Sequence, residues 1–343
     1  MSEVHIVLPN DVDDPALPSG GNRYDRRLCD GLTTLGWTVR EHAVYGAWPH
    51  PDADARDELA ATLSGLPGGA LVLVDGLVGS AVPDVLAPQA DRLRLVPLVH
   101  MPLADDAEKR TLSAARTVVA SSEWSRQLLL DRYALPADRV YAAPPGVDPA
   151  PEARGTPAGG ALLCVAAVGR HKGYDLLVEA LASLVDQEWT CTCVGSLTRD
   201  PGFVADLRRQ VAAQRLADRV RLVGARTGAD LEASYAAADL LVLPSRGETY
   251  GMVITEALAH GVPVLATAVG GVPEALGRAP DGTVPGLLVP SEDTGALAGA
   301  VRAWLADADL RGRLRRSARA RRPTLAGWTA TAEAVAAALR ATA

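Results

Sequence analysis

Two glutamates, Glu248 and Glu256, bracket the densest stretch of potential chemistry in this 343-residue chain. Glu248 falls in a turn, Ser245 to Glu248, that follows the apolar run Leu240–Leu243 and Pro244. Such a run reads as a strand buried on both faces. Glu256 lies in a short helix expected from near Gly251 to Ala259, with Gly261 and Pro263 marking its end. Seven residues separate the two acids, so an all-helical path between them rises only ~12 Å. At that spacing the carboxylates can touch different ends of one elongated ligand. Gly251 leaves the helix N-terminus uncovered by a side chain, and its free N–H groups would accept a phosphate. A hydroxylated sugar, two phosphates and a ribose, in that order, fit those positions. An ordinary strand, turn and helix with an acid in the first turn fits them too.

A second cluster, Gly169-Arg170-His171-Lys172-Gly173, follows another expected strand and precedes another helix. Arg170 offers a planar fork and Lys172 a compact point charge, a pair suited to a diphosphate. A solvated basic turn would look the same locally. Ser19-Gly20-Gly21-Asn22 ends the loop after the first strand, where paired glycines let backbone amides approach a ligand, or simply form a flexible turn. His100 closes the strand Leu93–Val99, at the carboxyl end where α/β sheets bind ligands. The remaining histidines show no metal spacing. Three Asp-x-Asp triplets, Asp11/Asp13, Asp52/Asp54 and Asp307/Asp309, read as solvated loops rather than metal sites. No metal ligand set is expected.

The elements that must hold these residues alternate, strand then helix, along the whole chain. That rhythm predicts parallel sheets covered on both faces. The first loop carries Pro15 and Pro18, and the helix after it is expected over Arg23–Leu35. Near Pro144 the rhythm breaks into a Pro- and Gly-dense stretch, residues 144–160, that reads as a linker. The chain is therefore expected to fold as two doubly wound α/β domains facing a central cleft, residues 1–148 and 149–325. A last Ala-rich helix is expected over Thr329–Arg340. Net charge is −7, against general nucleic-acid or anionic-membrane binding. No signal peptide or membrane-length apolar run is evident, and four cysteines without metal spacing suit a reducing, cytoplasmic setting. Phosphate-loop and dinucleotide fingerprints are both missing.

At this point the residues resemble a known group, the two-domain retaining glycosyltransferases of family 4 (GT-B fold, glycogen-synthase-like, or "group 1"). The likeness covers nearly the whole chain. Glu248-Thr-Tyr-Gly through Glu256-Ala-Leu-Ala-His-Gly-Val-Pro-Val is its specific part. Ser19-Gly20-Gly21, His100, Pro145-Gly146-Val147-Asp148, Gly169 to Gly173 and Gly270-Gly271-Val272-Pro273-Glu274 accompany it. Tyr250 stands where the family usually has Phe, and the Arg170–Lys172 spacing is shorter than in many members.

The resemblance implies Rossmann-like domains, with the acceptor on residues 1–148 and the nucleotide sugar on 149–325. A final helix, residues 326–343, would cross back to the first domain. Arg170, Lys172 and the N–H groups of Gly251, Met252 and Val253 should hold the donor diphosphate. Glu248 should bind the donor sugar, Glu256 the ribose, and Gly20 and Gly21 should close on the phosphates. Tyr250 belongs to the same donor site. His100 should lie beside the anomeric carbon and, with Glu248, form the catalytic pair. The implied reaction is retaining transfer from a UDP- or GDP-sugar to a hydroxyl, with no metal and no cofactor beyond the nucleotide sugar itself. A small soluble acceptor is favoured, although Arg23, Arg26 and Arg27 could meet anionic lipid. A sugar-nucleotide epimerase of the same fold and a two-domain solute-binding protein are the alternatives.

Overall fold

The computed structural model describes residues 2–14 and 19–342, so the loop carrying Pro15 and Pro18 lies outside the described residues. The chain divides into two compact units. One holds residues 2–14, 19–146 and 326–342, and the other holds residues 147–325.

The first unit is built on six strands: β1 (Glu3–Pro9), β2 (Thr38–Val44), β3 (Leu71–Asp75), β4 (Arg94–Val99), β5 (Val118–Ala120) and β6 (Val140–Ala142). They pair in parallel in the order β2-β1-β3-β4-β5-β6, with Val7 opposite His42 on one side and Val74 on the other. Helices cover the sheet because its central strands are apolar on both faces, as in the fully buried run Leu71–Asp75. The first helix spans Gly20–Thr34, starting earlier than its polar beginning indicates. Ser19 is its N-cap and accepts a hydrogen bond from Asn22 N at 3.0 Å. Gly20 and Gly21 therefore form the first helical turn, not a flexible loop.

The helix Trp328–Ala341 belongs to this unit and packs on the first helix. Thr331 Oγ1 donates to Pro144 O at 2.8 Å, and Trp328 meets Tyr24 edge-on at 5.9 Å. At the crossing, a Cβ on Gly31 would stand 2.6 Å from that of Ala332. Gly31→Leu should force these helices apart and destabilise the protein by about 1–3 kcal/mol, read from a urea melt. An unchanged midpoint would show that the crossing tolerates separation.

The second unit has its own six strands: β7 (Ala161–Val165), β8 (Thr190–Val194), β9 (Val220–Gly224), β10 (Leu240–Leu243), β11 (Val264–Thr267) and β12 (Gly286–Val289). Their order is β12-β11-β10-β7-β8-β9, again all parallel. The sequence of connections reverses between β7 and β10. That topological switch point is where an open α/β sheet takes its ligand. Cys164, Cys191 and Cys193 are buried, unpaired packing residues on this sheet.

The Pro- and Gly-rich stretch is not a loose linker. From Val147 onward it is strapped to the second unit. Ala153 N donates to His260 O at 2.8 Å, and Glu152 pairs with Arg319 at 2.6 Å and Arg322 at 3.1 Å. The buried Asp239 carboxylate accepts from Thr156 Oγ1 at 2.6 Å, Ala161 N at 2.9 Å and Arg315 at 2.8 Å. The glycines serve left-handed backbone at Gly155 and Gly159, and the boundary between the units, at Gly146/Val147, falls inside the stretch. All three Asp-x-Asp triplets likewise have structural duty. Asp52 caps the helix Ala53–Ser64, Asp307 caps Ala308–Arg321, and Asp13 pairs with Arg26 at 2.6 Å. No helix among the described residues is long and apolar enough to cross a membrane.

Candidate active site

In the second unit, the turns after β7 and β10 meet at the switch point. Gly173 has φ 69°, and a Cβ there would lie 2.0 Å from Pro244 O, so only glycine lets the two turns touch. Arg246 N donates to His171 O at 2.9 Å. The Arg246 guanidinium grips Asp175 through two bonds of 2.8 and 2.9 Å and also reaches Arg170 O and Glu292. Burial works against the Asp175 charge, yet that Arg246 fork holds its carboxyl below the usual range.

This frame brings Lys172 Nζ to 2.7 Å from Glu248 Oε1, with Ser245 Oγ donating to the same oxygen at 2.7 Å. Both side chains are mostly covered, Lys172 at 21 % and Glu248 at 10 % exposure. Glu248 Oε2 takes no hydrogen bond among the described residues, which leaves it as the acceptor open to a ligand. Arg170 does not join the pair. It is exposed, with its guanidinium 5.7 Å from the Phe203 ring centre. The Glu248 turn is backed by Gly271, whose N–H donates to Glu248 O at 3.0 Å.

The helix after this turn spans Met252–Ala259, with Gly251 at φ 93° as an N-cap that offers no side chain. Ile254 N bonds to Gly251 O at 2.9 Å. The N–H groups of Met252 and Val253 precede the helical ladder and make no hydrogen bond among the described residues. Glu256, half-buried in this helix, accepts from Tyr235 OH at 2.7 Å, and Tyr235 stacks on His260. Tyr250, just before Gly251, is partly covered. Burial, then Glu274, push its hydroxyl up to about 12 against the pull of Arg321.

In the first unit, His100 lies at the end of β4 and Asp75 at the end of β3. His100 Nε2 stands 2.8 Å from Asp25 Oδ1 and 3.4 Å from Asp75 Oδ2. A Cβ on Gly21 would be 3.4 Å from the imidazole, and Tyr24 meets the ring edge-on at 4.8 Å. Burial opposes charge on His100, but the two carboxylates outweigh it and lift its pKa to about 9. Asp75 is pushed up to about 7 by burial and by Asp25, against the attraction of His100. Among the described residues this is the one group of three such side chains near enough to share a cation, with their atoms inside 4.8 Å. The direct imidazole–carboxylate hydrogen bond occupies that space.

Comparison with known proteins places this geometry. Residues 159–307 match the family model described as glycosyl transferases group 1. A D-inositol 3-phosphate glycosyltransferase of Kineococcus radiotolerans is 37 % identical over 253 residues, covering 66 % of this chain and 57 % of the relative. Residues 159–307 form a group 1 glycosyltransferase domain. The chain spans little more than half the length of that relative and 48 % of the Salinispora tropica protein of the same name, which is 35 % identical over 62 % of this chain. Two solved structures share the fold across almost the whole chain. Sucrose-phosphate synthase from Thermosynechococcus elongatus has TM-score 0.78 at 24 % identity, covering 99 % of each chain. Anabaena HepE in complex with UDP and glucose has TM-score 0.77 at 18 % identity, covering 99 % of this chain and 100 % of that one. The two units are thus the two Rossmann-like α/β domains of the GT-B fold.

Several residues around these sites escape a reading of the sequence. Ser245 and Arg246 are among them, although they sit in the turn already singled out. Asp25 and Asp75 are the others. Asp75 ends a buried strand at its carboxyl edge, which is a usable signal. Asp25 shares a helix face with the buried Leu28, Cys29 and Leu32, a pattern hidden by the arginines around it.

Proposed function

We propose that the chain is a retaining glycosyltransferase, moving a sugar from a UDP- or GDP-sugar to a hydroxyl of a small acceptor without a metal. The observation that carries this reading is the Lys172–Glu248 pair beside an uncapped helix start, at the switch point of a group 1 domain. As the nucleotide diphosphate leaves, negative charge grows on it. Lys172 and the N–H groups of Met252 and Val253 are fixed donors for that charge, each worth roughly 2–4 kcal/mol in the transition state, and Arg170 adds an exposed cation from the same turn as Lys172. Glu248 Oε2 accepts from a donor-sugar hydroxyl, and Glu256 from the ribose. Gly20 and Gly21, in the first turn of their helix, offer further backbone donors to phosphate. UDP is the favoured nucleotide, supported by the Anabaena complex, and the name of the inositol 3-phosphate glycosyltransferase relatives supports a small polyol-like acceptor.

A thermal-shift screen tests the reading. UDP or GDP at 100 times its Kd adds about 2.7 kcal/mol of stability, a rise of several degrees, while free sugars do nothing. Product analysis in EDTA then shows a retained glycosidic linkage only when an acceptor is present. A shift with free sugar alone points to a solute receptor, and turnover of donor alone to an epimerase. Either result overturns the proposal.

A further inference from the structure

We infer that Asp25 and Asp75 are positioning residues that take the Nε2–H of His100 and turn Nδ1 toward the ligand. The inference rests on the reading of His100 as the residue beside the reacting carbon. Two carboxylates, 1 % and 3 % exposed, are not placed together in a protein interior without a partner of opposite charge. Among the described residues that partner is an imidazole, itself 12 % exposed. Asp25 Oδ1 receives its Nε2–H at 2.8 Å, and Asp75 Oδ2 stands behind at 3.4 Å.

Each acid is fixed from elsewhere. Asp75 Oδ1 accepts from Leu77 N at 2.7 Å and Val78 N at 3.3 Å, so its second oxygen must face the ring. Asp25 is held by its helix, with the neighbouring Tyr24 hydroxyl donating to Ala143 O at 2.8 Å. Asp25 Oδ2 is buried and has no hydrogen-bond partner among the described residues. A buried carboxylate with one idle oxygen is poorly satisfied, and it is retained here against one strong contact, the imidazole. Ser121 Oγ pins the His100 backbone by donating to its carbonyl at 3.1 Å. Nδ1 makes no hydrogen bond among the described residues. With Nε2 committed, Nδ1 is the ring nitrogen left to act.

The charged and titratable groups facing His100 are Asp25 and Tyr24 from the first helix and Asp75 from the end of β3. The Tyr24 phenol is driven far above its ordinary value by burial and by Asp25, so it stays neutral. Both acids favour the imidazolium, consistent with the upward shift of His100. At neutral pH Nδ1 then carries a proton and donates. A hydroxyl or phosphate oxygen of the ligand is the complementary acceptor.

Nitrogen-15 spectra of the whole protein test this, with the His100 signals assigned by their loss in His100→Gln. The expected His100 midpoint lies above 8, and Asp25→Asn lowers it by at least one pH unit. Asp75→Asn moves it the same way. In transfer assays Asp25→Asn should cut kcat at least tenfold with donor KM within threefold, and draw in the alkaline limb of the rate profile. A purely structural acid would alter the melting temperature and leave the limb where it is. A midpoint in unaltered protein at or below 6.5 overturns the inference, and this needs no variant to fold. An unmoved midpoint in a folded Asp25→Asn protein also overturns it. If the titrations behave as expected but His100→Gln keeps full turnover, the assignment of His100 to the reacting centre fails instead.

Discussion

Lys172→Ala and Glu248→Ala should each lower kcat/KM for the nucleotide sugar by about 10²–10³-fold, the loss of one preorganised group from the transition state. The two should differ in how the loss divides. In the proposed reaction Lys172 faces charge that grows as the diphosphate departs, so its removal should fall mainly on kcat. In the same proposal Glu248 contacts a sugar hydroxyl in ground and transition states alike, so donor KM should rise with its loss. The 2.7 Å contact between them predicts non-additivity. Removing Lys172 leaves Glu248 Oε1 with only the Ser245 hydroxyl, in a site where its carboxylate is 10 % exposed. The double variant should therefore lose much less than the product of the single losses. Lys172→Met, which keeps most of the side-chain volume, separates lost charge from lost packing. Near-normal turnover in either alanine variant would show that the chemistry lies elsewhere.

Much of the frame behind this site is legible in the sequence. The strands Leu240–Leu243 and Gly286–Val289 have the bounds their apolar runs indicate. The helix after Gly251 ends where Gly261 and Pro263 require. Such features are written in local residue order, where periodicity and turn chemistry speak directly. The pairing of Lys172 with Glu248 is not written there. Each residue on its own reads as a ligand for a different part of the nucleotide sugar. Their mutual contact depends on β7 lying beside β10, a neighbourhood set by sheet order and not by local sequence. Asp25 is hidden for a different reason. Flanked by Arg23, Arg26 and Arg27, it looks like part of a solvated face, and only the fold shows that it points at His100. In Ser19-Gly20-Gly21 the sequence offered both a turn and a ligand loop. A single hydrogen bond, from Asn22 N to the Ser19 hydroxyl, makes it a helix start.

The second large effect should come from a residue with no side chain at all. A Cβ on Gly270 would stand 1.8 Å from the carbonyl oxygen of Glu248, and the Gly270 backbone has φ 53°. Neighbouring Gly271 repeats the problem, at 2.2 Å from Thr249 O. The turn that carries Glu248 thus rests on two glycines, backbone against backbone, with no flexible side chain able to yield. Gly282 separates strain from clash. It has φ 81° and nothing within 4 Å of a Cβ, so Gly282→Ala bears the left-handed penalty alone, about 1–2 kcal/mol. Gly270→Ala bears that penalty and the collision, and should cost at least about 3 kcal/mol, the range of severe backbone effects. For a domain this size that is roughly 6–12 °C in Tm. Relief of the collision must move Glu248, and a displacement near 1 Å is enough to cost about 10²-fold in rate. Gly270→Ala should therefore approach Glu248→Ala in activity while keeping the carboxylate, and Gly282→Ala should keep full turnover with a small drop in Tm. Equal melting temperatures and equal rates in the two glycine variants would mean that the Glu248 turn adjusts freely, and that its close backing by Gly270 and Gly271 does not set the position of the carboxylate.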